Sequence, residues 1–195
     1  AIAVSKLDSC ILSTFGDMMR VPGSRKQSLF HAQAEGAHIK IVYSPMDSLK
    51  LAAENKDKKV VFFATGFETT IPAVAGTLSE AERMGLDNFY IYSAHKIVPP
   101  ALKALLGFPD LKIDGFILPG HVSAIIGTKP YEFIATDYKI ASAVTGFEAD
   151  DILTCVMMLL EQIASGRAEI EIQYTRVVKK EGNQKAVSLI NEYFE

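Results

Sequence analysis

Residues 60–72, which read VVFFATGFETTIP, decide the fold class that this sequence predicts. The first five residues are apolar without interruption, a pattern typical of a strand that is buried on both faces. A glycine follows at position 66, and a segment with helical spacing starts at about Pro72. A buried strand that leads straight into a helix is the unit of a parallel sheet, because parallel strands need a crossover between them.

The same alternation of strand and helix continues in both directions along the chain. Strands are predicted at 11–15, 38–43, 89–93, 115–118, 140–144 and 170–178. Helices are predicted from Ser28 and at 45–55, 72–84, 99–106, 122–126, 151–165 and 182–194. We therefore expect an α/β fold with mainly parallel sheets and helices on both faces. The N-terminus has the pattern of the end of an amphipathic helix, which suggests a chain cut from a longer one.

Length and composition exclude several classes of protein. The chain has 195 residues, 49% hydrophobic and 22% charged, so it can bury a core and is not disordered as a whole. A net charge of -3 argues against sequence-independent binding of nucleic acid. No apolar run approaches the roughly 18–20 residues that a membrane-spanning helix needs. Cys10 and Cys155 make no disulfide framework, which favours the reducing cytoplasm.

The residues directly after the predicted strands are the first candidates for function, because ligands of parallel α/β sheets bind at the carboxyl edge. Nearly every strand end carries a glycine or an ionisable residue. The candidates are Asp17, Arg20, Glu68, Thr69, Thr70, His95, Lys96, Gly120, His121, Ser123, Glu148 and Asp151.

The tripeptide Gly-Phe-Glu occurs twice among these strand ends, at 66–68 and at 146–148. In one interpretation both copies are strand-to-helix turns, in which glycine permits the turn and the acidic residue favours the helix N-terminus. In the other interpretation Glu68 and Glu148 face a shared cleft as acid, base or hydrogen-bond acceptor. The sequence leaves both interpretations open.

His95 and His121 leave a similar choice, between a hydrogen-bonded structural residue and a general acid, base or metal ligand. No familiar catalytic or metal-binding motif decides between these two roles. The sequence contains no HExxH motif or Cys/His cluster, no P-loop, no GxSxG elbow and no GxGxxG after a strand. Metal binding, nucleotide binding and serine hydrolysis by those routes are therefore unsupported.

Two stretches bear on the organisation of the chain. The predicted helix at 151–165 is apolar on most sides, so we expect a buried core helix, with docking on another domain as the alternative. The charged run KDKK at 56–59 is the best candidate for a domain boundary, although a solvated turn before a strand is the favoured interpretation.

The strand-end motifs, taken in order, resemble the HypD family of hydrogenase maturation proteins. The ordered set covers residues from about 11 to 195, and its strength lies in the order of the pieces. The motifs are TFGDMMRVPG at 14–23, YSP at 43–45, GFETTIP at 66–72, HK at 95–96 before PP at 99–100, DGF at 114–116, PGHVS at 119–123 with Gly127, GFE at 146–148 with DIL at 151–153, QYTRVV at 173–178 and EGN at 181–183.

The resemblance implies a scaffold on which the Fe(CN)2CO unit of [NiFe]-hydrogenases is assembled. It also implies a HypC-type chaperone and a HypE-type cyanide donor as partners, together with a [4Fe-4S] cluster and redox-active thiols. The implied architecture is a scaffold of two α/β domains that face each other across a cleft. On this basis we expect the end of the first domain at 1–56, the second domain at 57–166 and a return segment at 167–195.

The cysteine motifs of the family lie outside this sequence. Neither Cys10 nor Cys155 matches a functional cysteine of the family. Because thiolates are both the iron ligands and the redox groups, we expect no metal ligands, no cofactor and no activity in the isolated chain, which resembles the middle of a family member.

The resemblance also implies roles for the strand-end residues beside the iron unit. Cyanide nitrogens accept hydrogen bonds, so donors are needed around them. We expect Glu68 and Glu148 to accept protons from thiols or to orient the histidines. The expected donors to cyanide are Thr69, Thr70, His95, Lys96, His121 and Ser123. The further binding candidates are Asp17, Arg20, Gly120, Asp151 and Arg176.

Two other functions remain open from the sequence. One is an independent α/β enzyme, a transferase or hydrolase with His121 and Glu68 as acid and base. The other is a docking module that holds a partner through the methionine-containing helix at 151–165 or through the loop at 17–30.

Overall fold

Two parallel sheets organise the chain in the computed structural model, which describes residues 1–24 and 26–194. The described residues divide into two compact units. The first unit comprises 1–66, 70–95 and Phe194, and the second comprises 67–69 and 96–193. The α/β class with parallel sheets, which the alternating pattern predicts, is confirmed.

The first unit contains a four-stranded parallel sheet. Its strands are β1 (Cys10–Thr14), β2 (Ile39–Ile41), β3 (Lys59–Ala64) and β4 (Phe89–Ser93). They lie in the order β2-β1-β3-β4. The helices of this unit are α1 (Ile2–Ser5), α2 (Leu29–Ala34), α3 (Asp47–Glu54) and α4 (Ile71–Arg83), with a 3-10 helix at Gly16–Arg20.

Both faces of the central strand β1 are covered by helices. Side chains alternate between the two faces of a strand, and the neighbours Ile11 and Leu12 are both buried. Leu49 of α3 and Val74 of α4 belong to the cluster around Ile11, whereas α1, α2 and the 3-10 helix pack around Leu12. This arrangement leaves the carboxyl ends of the four parallel strands together on one edge.

The second unit contains a three-stranded parallel sheet. Its strands are β5 (Gly115–Pro119), β6 (Ala141–Thr145) and β7 (Ile170–Ile172), in the order β5-β6-β7. Among the described residues, no helix has the length and apolar character needed to cross a membrane. The helices of this unit are α5 (Val98–Leu106), α6 (Gly120–Ile126), α7 (Glu132–Thr136), α8 (Ala149–Ala164) and α9 (Gln184–Tyr193), with a 3-10 helix at Lys129–Tyr131.

The middle strand of the second sheet, β6, is buried over its whole length. One of its faces contributes Val144 to a cluster with Leu118 and Tyr131. The other face contributes Ala143 to a cluster with Cys155 of α8. The two buried faces of β6 fix the direction in which its carboxyl end points, and therefore the position of the residues that follow it.

The compact units differ from the predicted domains because strands on either side of the charged run pair with each other. A boundary at 56/57 separates β1 from β3, yet Leu12 lies opposite Val61 in the same parallel ladder. The first unit therefore continues to residue 95. The charged run at 56–59 forms a turn followed by the start of β3, as the favoured interpretation predicts.

Two local predictions are corrected. The strand predicted at 170–178 ends at Ile172, because the chain turns back and the amide of Val178 donates to the carbonyl of Tyr174 at 2.9 Å. The sequence predicts no element between 127 and 139, where the structure has a 3-10 helix and α7.

Candidate functional site

Three neighbouring strands of the second sheet end beside one another at its carboxyl edge. β5 leads directly into α6, which carries His121 in its first turn. β6 leads into residues 146–148 before α8 begins, and β7 leads into Gln173 and Tyr174. Since the strands lie in the order β5-β6-β7, these three connections are adjacent. They form the candidate site.

Aromatic rings from the three connections contact one another in a row. The ring of His121 lies 4.0 Å from that of Phe147, tilted by 30°. Phe147 meets Tyr174 edge to face, with 6.1 Å between ring centroids. The guanidinium carbon of Arg176 lies 4.5 Å from the Tyr174 ring centroid, within cation–π range. We call these four residues the aromatic row.

A buried carboxylate lies behind the aromatic row. Asp151, in the first turn of α8, is 4% exposed and accepts hydrogen bonds from both terminal nitrogens of Arg176, one of them at 2.8 Å. Gln173 Nε2 donates to Asp151 Oδ1 at 2.9 Å, and the amide of Glu148 donates to Oδ2 at 3.4 Å. Gln173 Oε1 in turn accepts from the amide of Gly146 at 3.2 Å. The network ties the end of β6 to the end of β7.

The charges in this network stabilise each other. Hydrogen bonds from Arg176 hold the pKa of Asp151 well below its ordinary value, although burial acts in the opposite direction. The same bonds raise the pKa of Arg176. Glu148 Oε2 lies 3.7 Å from Arg176 Nη2. Asp151 therefore stays ionised at neutral pH, and the half-exposed guanidinium remains a fixed positive charge at the rim of the site.

Two strand ends of the site have room only for glycine. A Cβ atom on Gly146 would lie 2.0 Å from Asp151 Oδ2 and 2.8 Å from Tyr174 Cδ2. A Cβ atom on Gly120 would lie 2.3 Å from the carbonyl oxygen of Thr145. All three distances are below 3.0 Å, closer than real Cβ atoms approach other atoms. The glycines of the PGHVS and GFE motifs therefore allow β5, β6 and the Asp151 network to approach one another.

Glu68 has a different position from the other predicted site residues. It is 2% exposed, and its Oε1 accepts a hydrogen bond from the amide of Val98, the first residue of α5, at 2.7 Å. Its Oε2 is buried and meets no hydrogen-bond partner among the described residues. Burial, with a smaller contribution from the Glu68 charge, raises the pKa of Tyr131 to about 12. Glu68 thus caps a helix inside the second unit.

The three hydroxyl side chains predicted to donate to cyanide differ in burial and in their hydrogen-bond partners. Ser123 is buried and donates to the carbonyl of Pro119 at 2.8 Å. Thr70 donates to the carbonyl of Thr65 at 3.3 Å. Thr69 is exposed. The hydroxyl hydrogens of Ser123 and Thr70 are therefore used within the fold.

His95 lies at the end of β4 in the first unit. Its Nδ1 is 3.0 Å from Ser93 Oγ, and its ring meets Phe194 edge to face at 5.9 Å. Burial lowers the pKa of His95, which favours the neutral ring. The neighbouring Lys96 is exposed. The structure thus puts His95 and His121 at the carboxyl edges of different sheets.

Asp17 and Arg20 lie on the 3-10 helix that follows β1, and both are exposed. They line a cavity of about 360 Å³ in the first unit, together with Phe30 and Ile41. These two predicted binding residues therefore line the same pocket, at the end of β1 in the first unit.

The sequence reasoning missed three residues of the site: Phe147, Gln173 and Tyr174. Phe147 was within a recognised motif but carried no assigned role, because an exposed aromatic ring gives no local signal. Gln173 and Tyr174 follow the true end of β7 and were hidden by a predicted strand that ran to Val178. A strand ended at Ile172 would have placed them with the other strand-end candidates.

The described residues do not provide the thiols that an iron–sulfur cluster needs. Both cysteines are free and buried, Cys10 in β1 and Cys155 in α8. Burial raises the pKa of Cys155, and its Sγ lies 3.6 Å from the carbonyl of Ala143. Within 1–24 and 26–194, no three His, Cys, Asp or Glu side chains are grouped so that they hold a metal ion. This donor set does not fit a cluster.

A family model named HypD, described as the hydrogenase formation hypA family, matches residues 1–195. The chain belongs to the HypD family. It is 50% identical over 194 residues to the hydrogenase maturation factor HypD of Rhodobacter capsulatus. It is 46% identical over 202 residues to the factor of the same name from Escherichia coli (strain K12), and 45% identical over 200 residues to the hydrogenase expression/formation protein HupD of Azotobacter chroococcum mcd 1.

The alignments cover 99–100% of this chain but only 51–54% of these relatives. The chain therefore spans about half the length of the curated relatives it matches. The resemblance drawn from the ordered strand-end motifs is confirmed. Three of those HypD motifs, at 119–123, 146–148 and 173–178, meet in the candidate site.

Proposed function

We propose that this chain is the α/β part of a hydrogenase maturation scaffold, and that the aromatic row faces the iron unit during its assembly. One observation carries the first half of the proposal: the HypD family model matches every residue of the chain, and relatives named hydrogenase maturation factors align over all of it. The second half rests on the convergence of three family motifs at one sheet edge.

The chemistry of the Fe(CN)2CO unit suits the exposed part of this edge. Cyanide ligands carry negative charge and accept hydrogen bonds at nitrogen. His121 is exposed and has a ring N–H to donate, and the half-exposed guanidinium of Arg176 supplies a positive charge with further donors. Asp151 stabilises that guanidinium from behind and fixes its plane. In this proposal His121 and Arg176 hold the cyanide ligands, and Asp151 positions Arg176.

The proposal leaves the direct iron ligands to other polypeptide. The two cysteines here are buried, and a thiol in an apolar environment is a poor ligand. We therefore propose that the iron is bound by thiols of the longer family member and of a HypC-type chaperone, with cyanide delivered by a HypE-type partner. The present chain contributes the surface against which the bound unit rests.

A chimera tests the first half of the proposal. These 195 residues replace the matching half of a full-length HypD, and the chimera is expressed in a strain that lacks its own HypD. We expect hydrogenase activity to return, because the family match extends over the whole exchanged segment. A chimera that accumulates as folded protein and gives no hydrogenase activity contradicts the proposal.

Substitutions in the same chimera test the role of the site. We expect His121→Ala to lower hydrogenase activity at least tenfold without changing the amount of chimera, and His121→Gln to retain part of the activity because an N–H donor remains. His38→Ala, at an exposed histidine of the first unit, is the matched control and is expected to have no effect. Equal activity in His121→Ala and His38→Ala contradicts the role proposed for His121.

A further inference from the structure

Glu68 and Tyr131 each bury a polar atom that meets no hydrogen-bond partner in the described part of the chain. The atoms are Glu68 Oε2 and the hydroxyl oxygen of Tyr131. Glu68 is 2% exposed and Tyr131 is fully buried, so bulk solvent does not satisfy either atom. A buried polar group without a partner keeps the cost of its desolvation, and folded proteins rarely leave such groups unsatisfied. Each of these two atoms therefore needs a partner.

Both residues belong to the same region of the second unit. Tyr131 is part of an apolar cluster of this unit. Val98, whose amide donates to Glu68 Oε1 at 2.7 Å, packs against this cluster. Ala124 of α6, the residue directly after Ser123, packs against it as well. The cluster thus brings the Glu68 carboxylate and the Ser123 turn of α6 towards the Tyr131 ring.

The hydroxyl of Tyr131 responds to the charges and dipoles of both neighbours. Burial is the main reason why the pKa of Tyr131 is raised, and the charge of Glu68 raises it further. The Ser123 hydroxyl acts in the opposite direction and lowers that pKa. Glu68 and Ser123 are therefore close enough to act on the Tyr131 hydroxyl, although neither makes a direct hydrogen bond to it.

The three polar groups complement one another as donors and acceptors. Tyr131 has a hydroxyl proton to donate, and an ionised carboxylate oxygen such as Glu68 Oε2 only accepts. Ser123 gives its own proton to the carbonyl of Pro119 at 2.8 Å, so its oxygen still has a lone pair with which to accept. One donor and two acceptors are the set of partners that a buried water molecule takes, since such waters make about three hydrogen bonds.

We propose that the second unit binds one internal water molecule between Tyr131, Glu68 and Ser123. The water accepts a hydrogen bond from the Tyr131 hydroxyl and donates to Glu68 Oε2 and Ser123 Oγ. It joins three segments that are distant in sequence: the turn residues 67–69, helix α6 and the 3-10 helix at Lys129–Tyr131. Two of its partners come from the GFETTIP and PGHVS motifs, and Tyr131 lies outside every motif.

The water also supports the candidate site from inside. His121 lies on α6 two residues before Ser123, and its side chain is exposed where that of Ser123 is buried. A helix held at Ser123 keeps a fixed orientation, which directs the His121 ring towards Phe147. Tyr131 is therefore a positioning residue for His121. The inference concerns the folded chain alone and does not rest on the maturation function.

Oxygen-17 magnetic relaxation dispersion tests the water, because it counts water molecules that stay bound for longer than the protein takes to tumble. We expect Tyr131→Phe to lose one such water relative to the wild type, since phenylalanine keeps the ring and removes the donor. Tyr138→Phe is the matched control and is expected to keep the wild-type count, because Tyr138 is 37% exposed in the same unit. Equal counts in Tyr131→Phe and the wild type overturn the proposal.

A high-resolution crystal structure of the wild-type chain locates the water without any substitution. We expect one water molecule at about 3 Å from the Tyr131 hydroxyl oxygen, Glu68 Oε2 and Ser123 Oγ. A structure in which the Tyr131 hydroxyl donates directly to Glu68, with no water between them, overturns the proposal.

The NMR spectrum of the His121 ring tests the positioning role of Tyr131. We expect the ring proton shifts of His121 to move in Tyr131→Phe, because α6 loses its support at Ser123. Ile134→Val is the control for a general loosening of the core, since Ile134 is fully buried in the same apolar cluster and takes no part in the polar contacts. Shifts that stay in place in Tyr131→Phe, or that move equally in Ile134→Val, overturn the positioning role.

Discussion

The two Gly-Phe-Glu turns share their sequence but differ in how the fold uses them. In the turn at 66–68, Glu68 is buried and caps α5 at the amide of Val98. In the turn at 146–148, the Glu148 side chain is 81% exposed and lies 3.7 Å from Arg176, and it shares a capping box with Asp151 at the start of α8. The same residue type is a core hydrogen-bond acceptor in one turn and a rim charge in the other.

The glycines of the two turns are needed for different reasons. Gly66 has φ +128°, a conformation that residues with a side chain rarely adopt. Gly146 has no such backbone requirement, but the Asp151 carboxylate lies so close that a side chain at position 146 would overlap it. The comparison shows that a tripeptide fixes a tight turn, while the elements packed around it decide what the turn does.

The largest effect is expected from a methyl group at either glycine. We expect Gly146→Ala to lower the free energy of unfolding by about 3 kcal/mol, because the new Cβ overlaps Asp151 and forces its hydrogen-bond network apart. Gly66→Ala is expected to cost about 2 kcal/mol, through backbone strain and an overlap with the Thr70 side chain. Urea denaturation followed by circular dichroism measures both. Gly76→Ala, in open space on α4, is the control and is expected to be neutral or slightly stabilising.

Double substitutions distinguish the two causes. Removing the Asp151 side chain removes the closest overlap and leaves only the one with Tyr174 Cδ2 at 2.8 Å, so Gly146→Ala is expected to cost clearly less in an Asp151→Ala background. A Cβ at Gly66 meets Thr70 Oγ1 at 2.4 Å in addition to the backbone strain, so a Thr70→Ala background should relieve the overlap and leave the cost of the backbone strain. Additive costs for the Gly146–Asp151 pair contradict the proposed overlap.

The next effect concerns the two glutamates. Glu68→Ala leaves the amide of Val98 buried without its acceptor, and we expect a loss of about 2 kcal/mol in the free energy of unfolding. Glu148→Ala removes an exposed ion pair and one half of the capping box of α8, and is expected to cost about 1 kcal/mol or less. Hydrogen exchange at the Val98 amide gives a local readout, since protection should fall in Glu68→Ala and persist in Glu148→Ala. Equal protection in the two variants contradicts the capping role of Glu68.

A pH-dependent effect is expected at Asp151, behind the second turn. The folded-state pKa of Asp151 is lowered by Arg176, so its contribution to stability is complete above the ordinary carboxyl pKa of about 4 and is lost as the pH falls below that value. We expect Asp151→Asn to lower the thermal midpoint by a few degrees at pH 7, and the difference from wild type to shrink in acid. Asp150→Asn, at the exposed neighbour, is the control. A difference that is constant from pH 7 to pH 2 contradicts the assignment.

Much of the fold was predictable because strand and helix periods are local properties of a sequence. The strand at 89–93 was predicted with the bounds that β4 has. The helix predicted from Ser28 begins there because the Ser28 hydroxyl accepts from the His31 amide in a capping box. Apolar runs and caps act within a few residues, so they can be recognised without knowing the rest of the fold.

The extent of the first compact unit and the packing of α8 were not predictable, because both depend on contacts distant in sequence. The pairing of β1 with β3 places the charged run at 56–59 inside a unit rather than between two units. In α8, hydrophobic spacing shows that residues such as Leu153 and Leu159 are apolar, but it does not show which of them a neighbouring element covers. Only Leu159 is buried.

The candidate site was predicted in its parts but not in its connections. The strand-end rule found His121, Glu148 and Asp151, and the resemblance added Arg176. The ion pair between Asp151 and Arg176 joins residues 25 positions apart, and no local pattern indicates it. The shared motif grouped Glu68 with Glu148. Their different roles depend on the elements that pack around each turn, which the motif does not show.

The smallest effect is expected at the phenylalanine of the second turn. Phe147 is 56% exposed, so Phe147→Leu loses little buried area but removes the ring contacts with His121 and Tyr174, and we expect a cost of about 1 kcal/mol or less. The sharper readout is the NMR spectrum of the His121 ring, whose proton shifts should move strongly when the aromatic face 4.0 Å away is lost. Phe67→Leu, the same change in the first turn, should leave those shifts in place. If both variants leave the His121 signals unmoved, the aromatic row does not persist in solution, and the two turns differ only in their glutamates and glycines.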